Sequence, residues 1–64
     1  MKILRLPDVR AKTGLGHTSI YGKMASGTFP RPIRLTQKAM GWPEHEVDRW
    51  IEQQIALRDG DKVA

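Results

Sequence analysis

Three groups of side chains in this sequence have types and spacings that invite a chemical reading. His17, Thr18, Ser19, Tyr21 and Lys23 stand within seven positions and supply hydroxyls, an imidazole and an amine. Arg34 and Lys38 flank a short polar stretch, Thr36-Gln37. His45 sits between Glu44 and Glu46. None of these is a catalytic arrangement. His17 and Ser19 are two apart, so on a helix they face away from each other and cannot pair as base and nucleophile. Glu44, His45 and Glu46 are adjacent and diverge for the same reason. There is no cysteine, so neither a disulfide nor a thiolate metal site is available, and two distant histidines make no ligand cluster. No glycine-rich phosphate loop is present. The expectation is a binding protein rather than an enzyme, with no metal and no cofactor.

Composition narrows the partner. The chain has 64 residues and a net charge of +4. Residues 1–42 carry eight Lys or Arg and one acid, a net of +7, whereas residues 43–64 carry three against six acids, a net of −3. Such asymmetry points the first part at a polyanion. No run approaches the roughly 18 apolar residues of a membrane span. The opening Met1-Lys2-Ile3-Leu4-Arg5-Leu6-Pro7 is too short and interrupted for a signal peptide. A cytoplasmic protein is expected, nucleoid-associated in a bacterium if its polyanion is DNA, and without a membrane partner. A chain of about this length makes one small domain that buries only about 60% of its unfolded surface.

The elements that must hold these residues are legible in order. Residues 2–6 read as an extended lead-in. Pro7 then supplies helical φ at a first-turn position, and Asp8 places an acid at the positive end of the helix dipole. This first helix runs to Lys12 or Thr13, and Gly14 is its left-handed stop. Leu15 fills the corner and Gly16 is the N-cap of a second helix over residues 17–26, closed by Gly27. The hydroxyls of Thr18 and Ser19 are expected to help satisfy the free amides of its first turn. Ile20 and Met24, four apart, face inward; Thr18, Gly22 and Ala25 face out, with Ser19 and Tyr21 on the flanks. Gly22 weakens the helix by about 1 kcal/mol relative to alanine, a cost that close approach to a ligand surface would justify.

Beyond Gly27, Phe29 is the expected core anchor, and Pro30 and Pro32 forbid a helix. Alternation over 31–35 predicts a strand with Ile33 and Leu35 inward and Arg34 outward. Residues 36–39 would form the loop, with Lys38 at its tip, and Met40-Gly41-Trp42 the returning strand. Pro43 and the acids after it start a closing helix whose Val47, Trp50, Ile51 and Ile55 form an apolar stripe. Trp50 is expected in the core and the acidic face away from the ligand. The domain is expected over residues 1–57, with 58–64 a frayed polar tail.

A helix, a glycine-containing turn and a second helix make a helix-turn-helix, and the hairpin adds a wing. The fold class is thus mainly α with a small β-hairpin wing. A small, polar outward helix face suits the major groove of double-stranded DNA, which displays base edges to a helix. Cations on the hairpin suit phosphates, whose neutralisation releases counterions.

At this point the residues resemble the AlpA family of phage- and prophage-type DNA-binding regulators. The resemblance is carried by Leu6-Pro7-Asp8-Val9, Thr13-Gly14-Leu15, Ser19-Ile20-Tyr21, the run from Gly27 through Phe29-Pro30-Arg31-Pro32 to Leu35, and the run from Gly41-Trp42 through Glu46-Val47-Asp48-Arg49-Trp50 to Ile51. It spans about residues 4–52. It implies a winged helix-turn-helix similar to that of MerR proteins and excisionases, and transcriptional control on a mobile element, often of an integrase gene. By position it implies a recognition helix contributing His17, Thr18, Ser19, Tyr21 and Gly22, and a wing contributing Arg34 and Lys38. The family usually has serine in place of Gly16 and a basic residue in place of Gly22; Lys23, one position on, would reach a phosphate instead. Two other readings compete: an excisionase-like factor that bends attachment-site DNA and recruits an integrase, and a protein-interaction module docked through the Trp50 helix. Tight specificity from one short helix would call for a dimer or tandem binding.

Overall fold

The computed structural model describes residues 2–61. The order of elements is β1 (Ile3–Leu4), α1 (Leu6–Thr13), α2 (His17–Ala25), β2 (Ile33–Arg34), β3 (Met40–Pro43) and α3 (Glu44–Asp61). It is a winged helix-turn-helix: three helices with a small antiparallel sheet.

The helix pair forms as its local signals dictate. Asp8 Oδ2 accepts a hydrogen bond from the Arg5 amide (3.2 Å), which closes the first turn of α1 at its start. Gly14, at φ 74°, ends α1, and its amide returns to the Arg10 carbonyl (2.8 Å). The Thr13 hydroxyl donates to the Val9 carbonyl (2.7 Å) and accepts from the Leu15 amide (3.3 Å), so the turn is tied on both sides. α2 ends in a Schellman arrangement: Thr28 N donates to Lys23 O (2.8 Å) and Gly27 N to Met24 O (3.1 Å), with Gly27 at φ 80°.

The lead-in is a strand, not merely an extended segment. Ile3 pairs with Pro43 and Leu4 with Trp42, both antiparallel, and the Glu44 amide donates to the Lys2 carbonyl (2.9 Å). β2 pairs on the other side, Ile33 with Gly41 and Arg34 with Met40, giving the order β1-β3-β2. The chain start thereby makes the third strand of the wing and fixes α1 against it.

The core consists of Leu4, Val9, Ile20, Phe29, Trp42 and Val47, with Leu6, Leu15, Met24, Trp50 and Ile51 packed around it. Phe29 anchors the segment after α2, as expected, and meets the edge of Trp50 at a centroid distance of 4.8 Å. Both indole N–H groups find backbone partners: Trp42 Nε1 donates to Pro30 O (2.9 Å) and Trp50 Nε1 to Thr28 O (2.6 Å). These two bonds hold the irregular segment between α2 and β2, which has no ladder of its own.

Three expectations are corrected. Ile33 and Leu35 are not inward: they are 44% and 41% exposed. The register explains this. Met40 and Trp42 share a sheet face with Leu4, which packs on the helices, so Arg34 opposite Met40 lies on that face and Ile33 opposite Gly41 lies on the other. Leu35 and Ile3 instead cover the bare backbone of Gly41. Ile55 does not extend the core stripe and is 44% exposed. α3 is about 27 Å long at 1.5 Å per residue, and the core reaches only its first two turns, through Val47, Trp50 and Ile51. Lastly, the chain does not leave the helix at residue 58. α3 continues through Gly60 to Asp61, because no proline interrupts it and an established helix gains a bond for each residue added. Residues 62–64 of the expected tail lie outside the described residues.

Candidate nucleic-acid interface

α2 presents its outward face as the sequence predicts. His17, Thr18, Ser19, Tyr21 and Gly22 are exposed, and Tyr21 is 49% accessible despite its size. Gly22 opens onto free space: a Cβ built there meets nothing within 4 Å. The expected help from Thr18 and Ser19 at the helix start is not formed. The N-cap is Gly16, in extended conformation (φ −77°, ψ 164°), and α2 has no side-chain cap. A capping oxygen comes from the N-cap residue, and glycine has none, so the two hydroxyls remain available to a partner.

The predicted residues divide between two flanks of α2. Tyr21 stands on the flank that faces the hairpin, where it lines an open groove of about 750 Å³ together with Lys38. Lys23, about 200° further round at 100° per residue, is half-buried on the opposite flank. Arg34 is exposed on the sheet face shared with Met40, which also lines the groove. The structure thus brings Tyr21, Lys38 and the Arg34 face of the sheet to one side of α2, with Thr18 and Gly22 beside them, and separates Lys23 from this group.

The hairpin loop is closed by its own backbone. The Leu35 and Thr36 amides both donate to Ala39 O (2.8 and 3.1 Å), and the Lys38 amide donates to the Thr36 hydroxyl (3.2 Å). Lys38 is therefore carried on a tight turn rather than a long flexible tip.

Two groove residues were not anticipated. Arg5, between β1 and α1, and Arg31, between Pro30 and Pro32, line the same space as Tyr21 and Lys38. Their sequence signal is membership of the basic segment 1–42, and for Arg31 also its place in the Phe29-Pro30-Arg31-Pro32 run, neither of which points to a shared groove. Their convergence needs the β1–β3 pairing, which brings residue 5 to the sheet beside the segment that leads into β2.

Charge is sorted across the fold. Lys12 bridges from α1 to Asp48 (2.7 Å) and Glu44 (3.2 Å) of α3. The hydrogen bond to Asp48, then that to Glu44, raises the Lys12 pKa above its ordinary 10.5. Two acids of α3 are thus turned onto α1. Among the described residues the other ion pair is Arg58–Asp59 (3.0 Å), so Arg5, Arg31, Arg34 and Lys38 carry no ionic partner. Among the described residues, no carboxylate lines the groove.

Comparison with known proteins agrees with this geometry. A family model described as prophage CP4-57 regulatory protein (AlpA) matches residues 2–55. The chain is 38% identical over 63 residues to the DNA-binding transcriptional activator AlpA of Escherichia coli (strain K12), covering 89% of this chain and 90% of that protein. It is 35% identical over 57 residues to uncharacterized protein ORF88 of Enterobacteria phage P4, covering 89% of this chain and 65% of that one. A match across nearly the whole helix-turn-helix and wing, with relatives of this similarity, places the chain in the AlpA family of prophage regulatory proteins.

Proposed function

We propose that this chain is a sequence-specific double-stranded DNA-binding transcriptional regulator of prophage or mobile-element genes, acting by binding rather than by catalysis and residing in the bacterial cytoplasm. α2 enters the major groove, where His17, Thr18, Ser19 and Tyr21 read base edges and Gly22 lets the helix backbone lie close. Arg34 and Lys38 on the hairpin engage phosphates. Lys23, on the far flank of α2, meets the opposite backbone strand.

The observation that carries the reading is the groove that joins Tyr21 of α2 to Lys38 of the hairpin and, among the described residues, has no acid in its lining. A recognition helix and a cationic wing tip sharing one acid-free surface suit a rod of regularly spaced phosphates. The closing helix supports this by spending Glu44 and Asp48 on Lys12.

Unbiased selection of bound duplex sequences, followed by footprinting on the flanking locus, tests the reading. A defined operator is expected, bound in one site or in two sites a helical turn apart if the chain pairs on DNA. Thr18→Ala and Tyr21→Ala are expected to weaken operator binding with the fold intact. Selection that returns no enriched sequence would overturn sequence-specific regulation. Several adjacent protected sites with bent DNA would favour the excisionase-like role and an integrase partner.

A further inference from the structure

We propose that the groove between α2 and the hairpin seats one sugar-phosphate strand of the DNA, with Arg5 and Arg31 as its phosphate ligands. The proposal rests on the DNA-binding reading above and adds to it two phosphate ligands that belong to neither the recognition helix nor the hairpin loop.

The groove has two chemistries. Part of its lining is apolar, with Leu6, Met24 and Trp42 at least half-buried and Met40 exposed. The rest includes the exposed cations Arg5, Arg31 and Lys38. A deoxyribose-phosphate strand alternates in the same way, apolar sugar faces between anionic phosphates. The three cations have no ionic partner among the described residues, in contrast with Lys12, which holds two carboxylates. Like charges gathered in one groove repel, and an anion between them relieves that repulsion. Guanidinium groups suit the task, since their planar fork binds phosphate oxygens in pairs.

Both arginines are also held in place before any ligand arrives. The Arg5 amide is bonded to Asp8, and the residues before it are paired to β3. Arg31 lies between two prolines: the ring of Pro32 confines it to extended backbone, and the Pro30 carbonyl is fixed by the Trp42 indole. Less backbone freedom is then lost on binding. The location agrees. The groove runs along the Tyr21 and Ala25 flank of α2, so when the outward face of α2 lies in the major groove, one bordering phosphate strand falls here.

The experiment compares Arg5→Gln, Arg31→Gln and the double variant of the full chain with the unsubstituted protein. Affinity is measured across a salt series for the selected operator duplex and for an unrelated duplex of equal length. Each single variant is expected to lower affinity for both duplexes by the same factor and to reduce the slope of log K against log salt by about one, the double variant by about two. The ratio of operator to unrelated affinity stays unchanged. Arg5→Lys and Arg31→Lys, which keep the charge, are expected to keep the slope. An unchanged slope in the double variant, or a changed ratio, overturns the proposal. If Tyr21→Ala and Lys38→Ala respond and the arginine variants do not, the groove assignment fails while the DNA-binding reading stands; if none of the four responds, that reading of this face fails too. Phosphate ethylation interference with the unsubstituted chain gives a second measurement. Interference is expected at phosphates bordering the major groove bound by α2, and its absence there also overturns the assignment.

Discussion

Two glycines of this chain respond oppositely to alanine, and the difference follows from their surroundings rather than from their secondary structure. A Cβ at Gly41 would lie 2.5 Å from Ile3 Cγ2, 3.0 Å from the Leu4 carbonyl oxygen and 3.1 Å from Leu35 Cδ1. The first is a branched side chain on a paired strand and the second is backbone, so neither retreats easily. Overpacking of this kind costs about 1–3 kcal/mol. Replacing glycine within a strand returns about 0.5–1 kcal/mol of backbone entropy. The central values leave a net loss of about 1 kcal/mol, and at most about 2.5 kcal/mol, from a total of about 3–10 kcal/mol for a chain of 64 residues. Thermal unfolding followed by circular dichroism should show Tm lowered by about 4–8 °C for each kcal/mol lost. Gly22→Ala is the matched control. Its Cβ enters open space and its φ is not positive, so the helix should gain about 0.8–1.0 kcal/mol and Tm should rise. A double-mutant cycle of Gly41→Ala with Ile3→Ala, which removes Cγ2, should recover part of the loss. A Gly41→Ala protein that melts at the unsubstituted temperature would refute the close approach of β1 to β3. A Gly22→Ala protein that melts lower would refute the open helix face.

The remaining predictions concern the interface and the packing beneath it. Gly22→Ala, although more stable, should bind operator less tightly, since its added methyl stands where the helix backbone approaches DNA; equal affinity in a filter-binding titration would remove Gly22 from the contact face. Lys38→Ala should weaken binding to all duplexes and lower the salt slope by about one, and an unmoved slope would show that the hairpin tip stays clear of DNA. Trp50→Ala should lose much of the fold at about 3–5 kcal/mol, because the ring packs on Phe29 and its N–H holds the Thr28 carbonyl; a cooperative melt at the original temperature would mark Trp50 as a surface residue. Lys12 has a raised pKa, so whatever stability its bridges add is complete below pH 10.5 and fades as pH climbs through the higher folded value. Lys12→Met should accordingly be less stable than the unsubstituted chain at neutral pH, with the gap between the two narrowing as pH rises above 10.5, a comparison that a series of urea melts from pH 7 into strong alkali would decide.

Much of this protein is written locally. Pro7 and Asp8 start α1, Gly14 ends it, Gly27 ends α2, and the prolines at 30 and 32 exclude helix, each through φ restriction or a nearby hydrogen bond. The division of α2 into an inner Ile20 side and an outer Thr18 and Gly22 side is likewise a matter of helical period, and so is the Val47, Trp50, Ile51 stripe. These are short-range properties, and the family motifs consist mostly of them. What tertiary structure decided depends on register between distant segments. Residues 3 and 4 form a strand only because β3 offers an edge about forty residues away, and that pairing carries Arg5 to the groove. One step of register turned Ile33 and Leu35 outward, since side chains alternate with a period of two and a strand of two residues has no pattern strong enough to fix its own face. Local signals suffice for a helix-turn-helix with a basic wing and an outward face free of bulky apolar groups. The tertiary structure decided which cations share a surface with that face: Arg5, Arg31 and Lys38 come together, while Lys23 is left on the far flank. Their meeting depends on long-range pairing, and no local rule of spacing encodes it.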